Sequence, residues 1–166
     1  MIPHEPETLS SRSEERADTL QEFFHRPLFL SLTIGVPFCI FKLLFGLAVV
    51  QAHPPGMVWM AGTGWLIISW SLLDLGMNSG RIAYDLLGRQ APFEYCTIAQ
   101  IGRYFHRPVV FLAFDTLLTF TIICTMLWSG WITLLSRPEL QLWYAATTLN
   151  LISLSLVVLY NEIRHS

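Results

Sequence analysis

The sequence predicts an all-α membrane protein, a four-transmembrane-helix bundle made of two tandem helical hairpins with interfacial helices on the cytoplasmic side. Three observations carry that expectation. The chain is 53% hydrophobic and only 13% charged, against roughly 25% charged for an average soluble domain, and its mean hydropathy is +0.49. Its apolar residues gather into four runs, each holding at most one charged residue. Its arginines are divided very unequally between the segments that flank those runs.

The first run extends from about Pro27 to Gln51 and the second from about Gly56 to Met77. The third covers about Pro108 to Leu135 and the fourth about Leu140 to Tyr160. A hydrocarbon core of ~30 Å takes about 20 helical residues, so each run suffices. Ala52-His53-Pro54-Pro55 forces the first two into a hairpin, and Ser136-Arg137-Pro138-Glu139 does the same for the last two. The predicted organisation is a polar acidic segment (1–26), a first hairpin (27–77), an amphipathic loop (78–107), a second hairpin (108–161) and a short tail (162–166).

Cations set the orientation, because arginine and lysine are retained on the cytoplasmic side. Arg12, Arg16 and Arg26 precede the first run, Arg81, Arg89, Arg103 and Arg107 lie in the middle loop, and Arg164 follows the last run. The opposite face holds only Arg137. Both termini and the middle loop are therefore expected in the cytoplasm, with the plasma (inner) membrane as location. Trp59, Trp128, Trp131 and Trp143 fall at the outer helix ends, and Tyr84, Tyr95, Tyr104 and Tyr160 at or beyond the inner ends. These positions suit interfacial belts.

The remaining composition excludes several classes. At 166 residues the chain is one domain's worth, and its net charge of −2 includes no basic arm, so no nucleic-acid partner is expected. Cys39, Cys96 and Cys124 are odd in number and without CxxC spacing, which argues against disulfides or structural zinc. The first 26 residues lack the basic and apolar regions of a signal peptide. Ser11 to Glu14 reads as a capping box. Pro92 suits the first turn of a second interfacial helix, with Glu94 near its positive end.

Phe24-His25-Arg26-Pro27 recurs as Phe105-His106-Arg107-Pro108, each time leading into an odd-numbered run. Ile68-Ser69-Trp70-Ser71-Leu72 likewise compares with Ile152-Ser153-Leu154-Ser155-Leu156. Two parallel repeats related by an axis along the membrane normal, a pseudo-twofold bundle, follow from this. Proline, arginine and phenylalanine in the tetrapeptide suit helix start, anionic leaflet and interface respectively. Histidine is not required by that account, and a His25–His106 pair is a candidate ligand set for a metal, haem or chlorin. Interfacial anchoring is the plainer role, and no cofactor or metal is expected.

Lys42, Asp74 and Asp115 are the ionisable side chains at membrane depth, where a charge costs roughly 2.5–3.5 kcal/mol at a helix centre. Counted from the prolines at ~1.5 Å per residue, Asp115 lies about 10 Å in and Lys42 about 22 Å, while Asp74 lies about 6 Å in from Asn78. On that count a direct Lys42–Asp115 bond must close about 12 Å, so Lys42 is expected to snorkel toward the outer interface. Asp74 and Asp115 are expected to share a water-accessible acidic vestibule. The plainer alternative has Asp74 reaching headgroups or Arg81, and Asp115 bonded by Thr116, Thr119 or another helix. Asn150, with Thr147, Thr148, Ser153 and Ser155, is placed to bond across helices. Gly76 and Gly80 form a GxxxG that suggests close helix packing.

No P-loop, HExxH, GxSxG or EF-hand loop is present. The expected function is a non-catalytic integral membrane protein, an accessory or scaffold subunit whose partners are lipid, other membrane proteins or itself. The alternative is a small oligomeric transporter or channel using Asp115 and Lys42. A second alternative is a haem- or pigment-binding protein using His25 and His106.

Overall fold

The computed structural model describes residue 29 and residues 31–165, and these are helical with connecting turns. A π-helical turn, Ser31–Gly35, runs directly into helix α1, Val36–Ala52. Pro37 supplies the reason for the altered register: it has no N–H for the carbonyl one turn back. Helix α2 spans Val58–Leu86, α3 Thr97–Tyr104 and α4 Pro108–Trp128. A 3-10 turn at Trp131–Leu134 then leads to α5, Arg137–His165. Three helices are long and apolar enough to cross a membrane: Ser31–Ala52, Val58–Leu86 and Pro108–Trp128.

The molecule is built inside out relative to a water-soluble bundle. Lys42, Asp74, Asn78, Asp115 and Thr119 are buried, whereas Leu66, Leu73, Phe114, Leu117, Leu151 and Leu159 face outward. An apolar exterior around a polar interior is stable where the surrounding medium is itself apolar. On α2 the buried residues are Gly64, Ile68, Ser71, Asp74 and Asn78, and on α4 they are Asp115, Thr119, Ile122 and Met126. Both sets recur at helical spacing and form a single inward stripe.

Helix α1 is the axle. It touches α2, α4, α5 and the 3-10 turn, while α4 and α5, consecutive in sequence, barely meet. A pseudo-twofold axis would make α4 as central as α1, so the contacts among the described residues depart from the symmetric bundle that the repeated tetrapeptide suggests. Phe38, Phe41, Leu44 and Ala48 of α1 join Met126, Leu135, Trp143 and Ala146 in an apolar core. Phe41 meets Trp143 edge-on at 4.8 Å and Phe45 stacks on Trp131 at 6.1 Å between centroids. Trp143 is thus a core residue, only 4% exposed, and not part of an interfacial belt; Trp128, at 93%, is fully outward.

Close helix approach occurs where the sequence reading did not put it. A Cβ at Gly46 would lie 2.8 Å from Ile68 and one at Gly64 3.0 Å from the Gly46 carbonyl, so these glycines bring α1 and α2 together. Among the described residues Gly76 meets nothing within 4 Å and Gly80 faces Phe93 of the loop, so the GxxxG of α2 joins no second helix there.

The middle segment also differs from expectation. Helix α2 continues through Asn78 to Leu86, beyond the predicted end of the second run, and stops at Gly88 (φ 66°). Helix α3 starts at Thr97 instead of near Pro92, because Cys96 is extended there and its sulfur accepts the Ala99 N–H at 3.4 Å. At the far turn, the backbone N–H and hydroxyl of Ser136 both donate to Glu139 at 2.7 Å, a capping box that starts α5.

Candidate functional site: a buried lysine between two aspartates

Lys42 sits one turn and a half into α1, inside the bundle, and is 1% exposed. Its ammonium donates to Asp74 Oδ2 of α2 at 3.0 Å and to Asp115 Oδ1 of α4 at 2.5 Å. It also lies over the Trp70 ring, 4.5 Å from the centroid. Two carboxylates and one aromatic face thereby occupy all three directions of the ammonium. Lys42 does not snorkel outward. The axial count for Lys42 starts from Pro27, which lies with His25 outside the described residues.

Asp74 is fully occupied. Its Oδ1 accepts both the backbone N–H and the hydroxyl of Thr97, each at 2.6 Å, so it caps α3 from a neighbouring helix. The positive end of α3 adds to the attraction of Lys42 for this carboxylate. Asp74 therefore reaches neither headgroups nor Arg81, and the pair forms no open acidic vestibule: Asp74 is 0% exposed and Asp115 4%. Arg81 donates instead to the Phe93 carbonyl and stacks over Tyr95 at 3.8 Å.

Asp115 is less completely held. Besides Lys42, the Cys96 thiol is near enough to feel its charge. Thr119 donates at 2.8 Å to the Asp115 backbone carbonyl, and Thr116 to that of Leu112, so neither hydroxyl serves the side chain. The Asp115 side chain borders a cavity of about 400 Å³ among α1, α4 and α5. Phe38, Leu112, Phe120 and Leu154 form its apolar walls, and Asn150, the fourth candidate, lines it beside Ser153. Ser153 donates to Thr33 at 2.9 Å and ties α5 to the π-helical turn.

Asn78, which the sequence reading passed over, completes the floor. Its amide nitrogen donates to the Asp74 carbonyl at 3.0 Å and to the Tyr95 carbonyl at 2.8 Å, and it approaches Cys39 Sγ at 3.6 Å. Its Oδ1 is buried without a donor and stands where a Gly35 Cβ would be, at 2.0 Å. Only glycine fits at position 35. Asn78 follows Asp74 by one helical turn, a signal that was legible; Thr97, brought back by the loop, left none.

Burial pushes the Cys96 thiol up to about 12, and the neighbouring Asp115 charge adds to the effect. His106 is exposed and adopts φ 58°. With the Arg107 N–H bonded to the Gly102 carbonyl at 2.9 Å, it closes α3 in the left-handed region and turns the chain into α4. Histidine tolerates that conformation better than most residues. The role is a backbone one, and it accounts for the residue the tetrapeptide did not otherwise require. Among the described residues no group of three or more His, Cys, Asp or Glu side chains is arranged to hold a metal.

Fold and site together define a helical protein with an apolar exterior, a buried lysine–dicarboxylate network and a cavity beside it. No protein family, curated protein or solved structure matches the chain.

Proposed function

We propose that the chain is a four-span inner-membrane protein that binds a small membrane-dissolved solute beside Lys42 and Asp115 and carries it across the bilayer. The fourth span is α5, whose 29 residues reach about 43 Å and whose outward side chains include Leu151, Ile152, Leu154 and Leu159. The arginine imbalance supports cytoplasmic termini and a cytoplasmic middle segment. Helix α3 suits an interfacial position there, since it buries Ala99 and Gly102 and exposes Ile101 and Tyr104.

The observation that carries the reading is the cavity of about 400 Å³ with Lys42 and Asp115 in its wall. A purely structural ion pair is favoured by close packing around it, and a void at its edge weakens it. Phe120 of α4 and Leu154 of α5, both exposed at the cavity's edge, mark an approach from the lipid side. Vesicles containing the purified protein, offered a panel of radiolabelled cations, amines and amphiphiles, should accumulate at least one faster than empty vesicles. Asp115→Asn should abolish that uptake.

A second reading is favoured by one specific fact: Lys42 has every donor engaged, as a clamp would. On that reading the chain is a non-catalytic subunit of a membrane complex, locked in shape by the ion network. Extraction in mild detergent as a hetero-complex, with no uptake of any compound in the panel, would move the conclusion to it.

A further inference from the structure

Charge counting at the ion network identifies what the cavity holds. One ammonium, Lys42, stands between two carboxylates, all three buried. Asp74 has the lysine, the Thr97 N–H, the Thr97 hydroxyl and the start of α3, which together satisfy a full negative charge. The unmatched carboxylate is therefore Asp115, and it is the one in the cavity wall. An uncompensated charge at membrane depth is unstable, so the site is completed either by a proton or by a cation.

A second observation points the same way. Lys42, the ammonium in that wall, already donates to both carboxylates and lies over the Trp70 ring, so the wall's one cation is spent on residues of the bundle. The cavity thus offers the Asp115 carboxylate as an acceptor and no unpaired cation to hold an anion. Aromatic and aliphatic walls, Phe38, Phe120, Leu112 and Leu154, suit a ligand with an apolar body.

We infer that the ligand is a lipophilic cation and that it exchanges for a proton on Asp115. The inference rests on the cavity being a binding site, as proposed above. With the cavity empty, Asp115 is a neutral carboxylic acid hydrogen-bonded to its surroundings. When the cation enters, the O–H bond breaks, the proton leaves to water, and the carboxylate becomes the counter-charge. Charge balances in both states, and no redox partner is involved. The groups that face Asp115 are Lys42 and Cys39 from α1, Asp74 from α2 and Cys96 before α3. Helix α5 faces it with Asn150 and Ser153, neither of which titrates.

The test uses the full-length protein in detergent micelles with two probes, tetraphenylphosphonium and the uncharged triphenylphosphine oxide. The phosphonium should bind, and its affinity should rise roughly tenfold per pH unit until Asp115 ionises unaided. In weak buffer about one proton should be released per cation bound. Asp115→Asn should lose phosphonium binding and proton release, and Asp115→Glu should keep both. Phosphonium binding of constant affinity from roughly pH 5 to pH 9 without proton release, or undiminished in Asp115→Asn, would overturn the exchange. Binding of the phosphine oxide alone would leave the cavity reading standing and remove the cation. Binding of neither removes both. Should Asp115→Asn fail to give monodisperse protein, the proton count on the wild type decides.

Discussion

The two ends of the bundle hold the same helix by opposite means. Toward the turn at His53, α1 is fixed by Leu44 and Ala48 against Met126, Trp143 and Ala146, with Gly46 and Gly64 letting α2 approach. Toward the arginine-rich end it is fixed by Lys42 against Asp74 and Asp115, with Asn78 and Thr97 closing the network. In lipid, apolar side chains gain little by leaving the solvent, so the first end depends on shape and dispersion. At the second end the alternative to each contact is an unpaired charge in a medium of low dielectric constant. The apolar end therefore loses contacts one substitution at a time, whereas the charged end fails as a unit.

Substitutions at the two ends should separate these behaviours. Lys42→Met strands the buried Asp74 carboxylate and removes the donor to Asp115, and should cost about 3–5 kcal/mol, read as lost thermal stability or lost expression of folded protein. The triple change Lys42→Met, Asp74→Asn, Asp115→Asn should recover much of it, because removing a whole buried network is far less costly than breaking one. A Lys42→Met single variant as stable as the wild type would erase the distinction between the ends.

Met126→Ala, wholly buried in the apolar core, should cost less, about 2–3 kcal/mol, through lost contacts and the cavity left behind. Chemical denaturation of the purified variant checks it. A loss larger than that of Lys42→Met would reverse the ranking.

The smallest response is expected at Cys96, between the two environments. With its thiol pushed up to about 12 by burial, the thiolate is scarce at neutral pH. Because the raised value favours the neutral thiol, reactivity should remain low as pH rises through the ordinary thiol range and appear only when the fold opens. Maleimide labelling of Cys96 in a variant with Cys39 and Cys124 replaced, before and after denaturation in sodium dodecyl sulfate, measures this. Rapid labelling of the native protein at neutral pH would mean that water reaches the network.

The sequence was informative about everything that depends on local patterning. The predicted runs of about 27–51, 56–77 and 108–135 overlap the helices Ser31–Ala52, Val58–Leu86 and Pro108–Trp128, because helix length and hydropathy are properties of contiguous residues. Lys42, Asp74, Asp115 and Asn150 stood out because each is costly or conspicuous at membrane depth. Their partners did not stand out. Asp74 accepts from a threonine 23 positions away, delivered by a loop whose course no periodicity encodes. Trp143 looked like an interfacial residue by position and turned out to pack on Phe41.

By itself, then, the sequence determined a helical, largely apolar chain and the short set of polar residues that must be reconciled with such surroundings. Those follow from composition and spacing along one helix at a time. Only the tertiary structure decided that α1 is central, that α4 and α5 stand apart, and that one lysine meets two aspartates beside a cavity. The reason is geometric. Axial offset between helices depends on where each one starts and how they cross, and a shift of two turns separates a snorkelling lysine from a buried ion network.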